Sequence, residues 1–156
     1  MTASPSPGRH GPSSRLRGLI RLLLIVLAGG VGIPAVPGGV SLLAGFYAPP
    51  VEQLAGSGFT DFTVPGLALL FLVGGSALLA GVLLLRRRRF ALHSATLAGL
   101  VVMSFEFVEV LAIGSPPGPP RAMQILFFTL GAGLVAVSLV ALVIDLRWPP
   151  QGSAAE

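Results

Sequence analysis

The chain has no cysteine and no lysine, and only 10% of its 156 residues are charged, against about a quarter in a soluble domain. Without cysteine there are no disulfides, no iron–sulfur ligation and no thiolate catalysis. Without lysine, all ten basic residues are arginine. Histidine is scarce: His10 stands among polar residues with no metal-ligand neighbour, and His93 precedes Glu106 by roughly 20 Å of helical rise. There is no glycine-rich strand-to-helix turn, no histidine- or aspartate-rich cluster, and no histidine near Ser104, so the chain carries no recognisable catalytic motif. No metal or cofactor is expected, and the chain is not expected to be an enzyme.

Apolar residues are abundant: 53% of the chain is hydrophobic and its mean hydropathy is +0.88. That composition predicts an all-α integral membrane four-helix bundle with spans at about 19–36, 65–85, 90–113 and 121–146, inside a membrane domain covering 19–148. Residues 1–18 mix Pro, Ser, Gly and Arg without apolar periodicity and read as a disordered cytoplasmic tail. Residues 149–156 read as a short second tail. The run 34–64 is broken by proline and glycine yet apolar, which predicts an outer loop lying on the membrane surface or over the mouth of the bundle, with Tyr47 and the phenylalanines at headgroup depth. Within it, 50–55 suggests one or two helical turns ended by Gly56. Asp61, Thr63 and Pro65 then form a helix start, in which a side-chain oxygen meets free N–H groups and proline occupies the first turn.

Arg86, Arg87, Arg88 and Arg89 form a short turn between spans 2 and 3. They read as a positive-inside anchor meeting anionic lipid headgroups at the cytoplasmic face, in preference to a phosphoinositide or nucleic-acid patch; no nucleic-acid partner is expected. Both termini are then cytoplasmic and only Arg121 lies outside. Asp145 is expected to be neutralised by Arg147 or by the arginine turn, with Trp148 as an interfacial anchor. Small residues four apart, Ser76/Ala80, Ala77/Gly81 and Ala132/Ala136, predict close helix packing. A membrane-protein partner or a homo-oligomer is a further expectation.

The anomaly is a pair of carboxylates inside span 3. Ala95, Gly99, Val102, Glu106, Glu109 and Ile113 share one helical face, and small residues on that face predict that it meets another helix. Counting from Ile113, Glu109 lies roughly 6 Å deep and Glu106 roughly 10 Å, both in the outer half. Each costs on the order of 2–3 kcal/mol to insert. The nearest candidate partners are Arg121 and Gln124, which open span 4 just across the short outer loop. The expected pairing is Arg121 with Glu109, and Gln124 with Glu106. Two uses of the cluster are open: structural glue between spans 3 and 4, or a site in which two shielded carboxylates share a proton or hold a cation.

The runs Gly58-Phe59-Thr60-Asp61-Phe62-Thr63-Val64-Pro65-Gly66 and Phe105-Glu106-Phe107-Val108-Glu109-Val110-Leu111-Ala112-Ile113-Gly114, followed by Gln124-Ile125-Leu126-Phe127, resemble an uncharacterised family of small bacterial four-span integral membrane proteins. That resemblance implies four helices in a bacterial cell membrane and no particular activity. The function expected is therefore a non-enzymatic membrane protein, either an accessory subunit or a small-ligand binder. The alternative is a proton- or cation-linked transporter using Glu106 and Glu109, and a lipid-modifying enzyme comes third.

Overall fold

In the computed structural model, residues 12–46 and 50–147 are described, and they contain four long helices and no strand. The helices are α1 (Pro12–Ala44), α2 (Thr63–Leu85), α3 (Ala91–Ile113) and α4 (Pro119–Arg147). All four are long and apolar enough to cross a membrane, so the chain is a multi-pass membrane protein. In chain order the helices run antiparallel. Their interior is a column of small and medium apolar side chains, including Leu24, Ala28, Val31, Val73, Ala77, Ala95, Val102 and Leu134.

Helix α1 corrects two expectations. Residues 12–18 are helical where a disordered tail was expected, and the helix runs on to Ala44 through Pro34 and Pro37. Proline breaks helices in water because a carbonyl loses its N–H partner; within membranes neighbouring helices and local adjustments make the loss tolerable. Here the buried stripe Leu24, Ala28, Val31, Ala35 and Gly39 passes both prolines without losing register, while the prolines themselves are exposed. At 33 residues the helix is about 50 Å long, well over the hydrocarbon thickness, so it tilts or projects from the bilayer.

The predicted loop thus shrinks to residues 45–62. Val51–Leu54 makes one 3₁₀ turn, and Gly56 follows with φ +89°. Leu54 and Phe62 are buried, which draws this loop over the bundle mouth. The helix start behaves as read: the Thr63 N–H donates to Asp61 Oδ1 at 2.8 Å, and Pro65 sits in the first turn. The Thr63 hydrogen bonds hold the Asp61 carboxyl below the usual carboxylate range, since they favour its charged form.

Helix α2 widens to π-helical turns over Ala68–Gly75 before returning to α geometry. Its approach to α1 is close. A methyl built on Gly39 would lie 2.7 Å from the Leu70 nitrogen and 2.8 Å from the Gly66 carbonyl oxygen. Between α3 and α4 the contact is closer still, because a methyl on Gly99 would lie 2.6 Å from the Gly131 carbonyl oxygen. Only glycine lets backbones meet this way. The seam on α4 is therefore Gly131; Ala136, one of the predicted pair, faces outward. Thr96 and Ser138 hydrogen-bond across the same interface at 2.7 Å.

The arginine turn joins the start of α1 and the end of α4 at one end of the bundle. Arg21 donates to the Leu84 and Leu85 carbonyls in the last turn of α2, where helical carbonyls lack their usual i+4 partners. Asp145 pairs with Arg17 at 3.3 Å, a correction to the expected partners. Arg17 reaches it because α1 begins earlier than its apolar run. His10, Tyr47, Trp148 and the terminal segments 1–11 and 148–156 lie outside the described residues.

Candidate functional site

The site is built on the end of α3 nearer the loop. Glu106 is buried to 5% exposure, on the same stripe as Ala95, Gly99 and Val102, and Glu109 is half-buried one turn further on. Helical periodicity places both carboxylates toward α4, as expected. On α4, Gln124 is 6% exposed and comes opposite Glu109.

The pairing differs from the expectation. The Gln124 amide donates to Glu109 Oε1 at 3.0 Å and to the Gly114 carbonyl at 3.2 Å. Both of its N–H groups are thus spent, one on a carboxylate and one on the C-terminus of α3. Arg121 takes no part. It is exposed, and it donates to the Ser115 carbonyl from Nε at 3.2 Å and from a terminal nitrogen at 2.7 Å, with a further bond to Ser115 Oγ. The reason is the loop: Gly114 and Gly118 have φ of +75° and +100°, and the chain they turn brings Ser115 under the guanidinium. An arginine so satisfied has no call to enter the bundle.

Among the described residues, Glu106 is left without a hydrogen-bond partner. Its Oε2 is fully buried and accepts no hydrogen bond, and Gln124 Oε1 is in the same condition. The register set by Thr96 with Ser138 and Glu109 with Gln124 puts the buried Phe127 across from Glu106, which explains why no donor reaches it. A buried acceptor without a donor costs about 1–3 kcal/mol, more when charged. The tie between α3 and α4 at this level is the Glu109–Gln124 bond, and Glu106 adds no hydrogen bond to it.

The other side of Glu109 opens on a cavity of about 650 Å³ between α2 and α3. Its walls are Leu69 and Leu72 from the π-helical stretch and Leu100, Phe105 and Val108 from α3, and its roof is Leu54, Phe59 and Phe62. Glu109 and Ser104 supply the polar side chains of the lining. Several of these wall residues are also exposed on the outer surface, so the cavity is open sideways, toward lipid. The chain matches no family model, no curated protein and no solved structure.

The arrangement can therefore hold an apolar body against one carboxylate. Sequence reasoning found Glu106, Glu109 and Gln124 but missed the cavity and its walls. The usable signal was the density of Leu and Phe in a loop that ends directly at α2. The arginines Arg86, Arg87, Arg88 and Arg89 lie at the opposite end from the carboxylates, and Asp61, Thr63 and Pro65 serve the start of α2 beside the roof.

Proposed function

We propose that the protein is a membrane-embedded, non-enzymatic binder of a lipophilic small molecule with a cationic head, held between α2 and α3 with the head against Glu109. The observation that carries this is the cavity itself: its volume falls in the range of small-molecule sites, its walls are apolar, and a carboxylate lies in one wall. In low-dielectric surroundings a carboxylate and an ammonium attract far more than in water. Solvated amines would not enter such a wall without an apolar tail.

Titration of the full chain in detergent with dodecylamine, with dodecanol as the uncharged control, tests this. Saturable amine binding is expected, weakened about tenfold by Glu109→Gln, which keeps an acceptor for Gln124 while removing the charge. Val108→Trp should fill the cavity and block binding as well. Equal binding of amine and alcohol, or indifference to both substitutions, would refute the proposal.

Proton- or cation-linked transport through Glu106 and Glu109 is the second reading, supported by the buried, donorless oxygens of Glu106 and Gln124. We also infer a bacterial cell membrane, following the family resemblance, with both termini and the arginine end cytoplasmic under the positive-inside bias. A periplasmic reporter fused after Arg89 should be inactive and one fused after Pro117 active. The reverse pattern would invert the orientation. An accessory role beside a membrane-protein partner or a second copy remains compatible with the binding proposal.

A further inference from the structure

At the end of the bundle far from Glu109, a second and smaller pocket of about 200 Å³ lies among α1, the arginine turn and α4. Four arginines line it: Arg17 and Arg21 from α1, Arg87 and Arg88 from the turn. Asp145 also lines it and is paired with Arg17. No carboxylate among the described residues neutralises Arg21, Arg87 or Arg88. Three like charges from two separate elements are thus brought around one concavity. A positive-inside anchor needs charge at this end of the helices, but it does not need the charges to converge.

The turn holds one of them in an unusual way. Helix α2 ends with the Arg88 N–H on the Leu83 carbonyl and the Arg87 N–H on the Leu84 carbonyl, the pattern in which the residue after the cap takes a left-handed conformation. Glycine ordinarily occupies that place. Here it is Arg87, with φ +53°, the one non-glycine residue among those described with a positive φ. Arg21, for its part, is fixed by its bonds to the Leu84 and Leu85 carbonyls. Its neighbours in the turn divide in two: Arg89 lies over the Phe90 ring at 4.7 Å, and neither Arg86 nor Arg89 lines the pocket.

We propose that this pocket binds a phosphate group, carried by a lipid headgroup or free in solution. Guanidinium forks match phosphate oxygens in pairs, and basic pockets between membrane helices suit phosphate headgroups. The remaining wall, including Ile20, Leu84, Leu92 and Ile144, is apolar and would suit the glycerol and upper chain of a lipid. The site is independent of the Glu109 cavity.

The experiment uses the full chain in phosphatidylcholine nanodiscs, with thermal stability followed as phosphatidic acid, oleate or inorganic phosphate is added. Saturable stabilisation by phosphatidic acid or by inorganic phosphate, and not by oleate, is expected, and whichever of the two acts names the source of the phosphate. Arg87→Gln/Arg88→Gln should weaken it by about tenfold or more, whereas the charge-matched Arg86→Gln/Arg89→Gln should change it less than about twofold. Melting in phosphatidylcholine alone confirms that each variant folds, and Arg88→Gln serves alone should the double variant fail. Equal losses in the two double variants would show a diffuse positive surface and overturn the proposal. So would stabilisation by oleate equal to that by phosphatidic acid, or none by either phosphate.

Discussion

Glu106→Gln should stabilise the protein in detergent, by about 1–3 kcal/mol, although it removes an ionisable carboxyl from the centre of a polar cluster. In a cluster that glued α3 to α4, the same change would cost stability, because it would strand a partner. Glu106 has none to strand among the described residues: its Oε2 is buried and accepts nothing, as is true of Gln124 Oε1. Glutamine has nearly the same shape and cannot ionise, so it avoids the cost of burying a charge that no donor compensates. Arg121→Gln should change stability by no more than about 0.5 kcal/mol, since its bonds go to Ser115 at the surface. Thermal and denaturant unfolding of both variants measures the difference. A marked loss in Glu106→Gln would mean that the carboxylate is a structural tie after all, and the transport reading would lose its best support. A gain in stability with no effect on ligand binding or ion flux would leave the residue without a use, an outcome natural proteins rarely tolerate at such a cost.

Gly99→Leu should be the most damaging single substitution in the bundle. Even a methyl there would lie 2.6 Å from the Gly131 carbonyl oxygen and 2.8 Å from Val135 Cγ2, with Leu134 Cβ at 3.0 Å. Two of those neighbours are backbone or close to it and cannot turn aside, so the helices must separate. Overpacking costs about 1–3 kcal/mol for modest insertions, and separating α3 from α4 here also pulls at the Thr96–Ser138 bond and the Glu109–Gln124 bond. Gly99→Ala should therefore lose about 1–3 kcal/mol and Gly99→Leu should fail to accumulate as a folded protein. Gly131→Ala acts on the same contact, so the double alanine variant should lose less than the two single losses combined. Gly18→Ala is the control, because nothing lies within 4 Å of a methyl there. In that helical position alanine should be neutral or slightly favourable. Comparable losses at Gly18 and Gly99 would show that glycine is needed for something other than close approach.

The helices were legible in the sequence for a physical reason. A bilayer admits only backbone that satisfies its own hydrogen bonds, so a span must be written as a continuous apolar run, and α2, α3 and α4 are. Helix α1 misled because proline was weighed as it acts in water, and because Arg15 and Arg17 made its first turns look like a polar tail. The candidate site was legible as a list and not as a set of bonds. Periodicity tells which face Glu106 and Glu109 occupy, but the partner of Gln124 depends on how the five-residue loop 114–118 turns, and that rests on the positive φ of Gly114 and Gly118. The pairing of Arg17 with Asp145, far apart in sequence, depends on helix order in space. The cavity's one local signature was its Leu- and Phe-rich roof loop; its walls read as ordinary lipid-facing leucines and phenylalanines until α2 and α3 are seen to diverge.

That divergence follows from where the glycines are. Gly39 and Gly66 clasp α1 to α2, and Gly99 and Gly131 clasp α3 to α4. The bundle is thus two clasped hairpins joined by the four-arginine turn, and α2 and α3, which belong to different hairpins, face each other without a glycine contact of this kind. Near the turn, alanines such as Ala80 and Ala95 keep them together; at the loop end, bulkier Leu72, Phe105 and Val108 stand on either side of the gap. The molecule is in effect a book bound along its arginine spine. Its pages part at the edge where Glu109 sits.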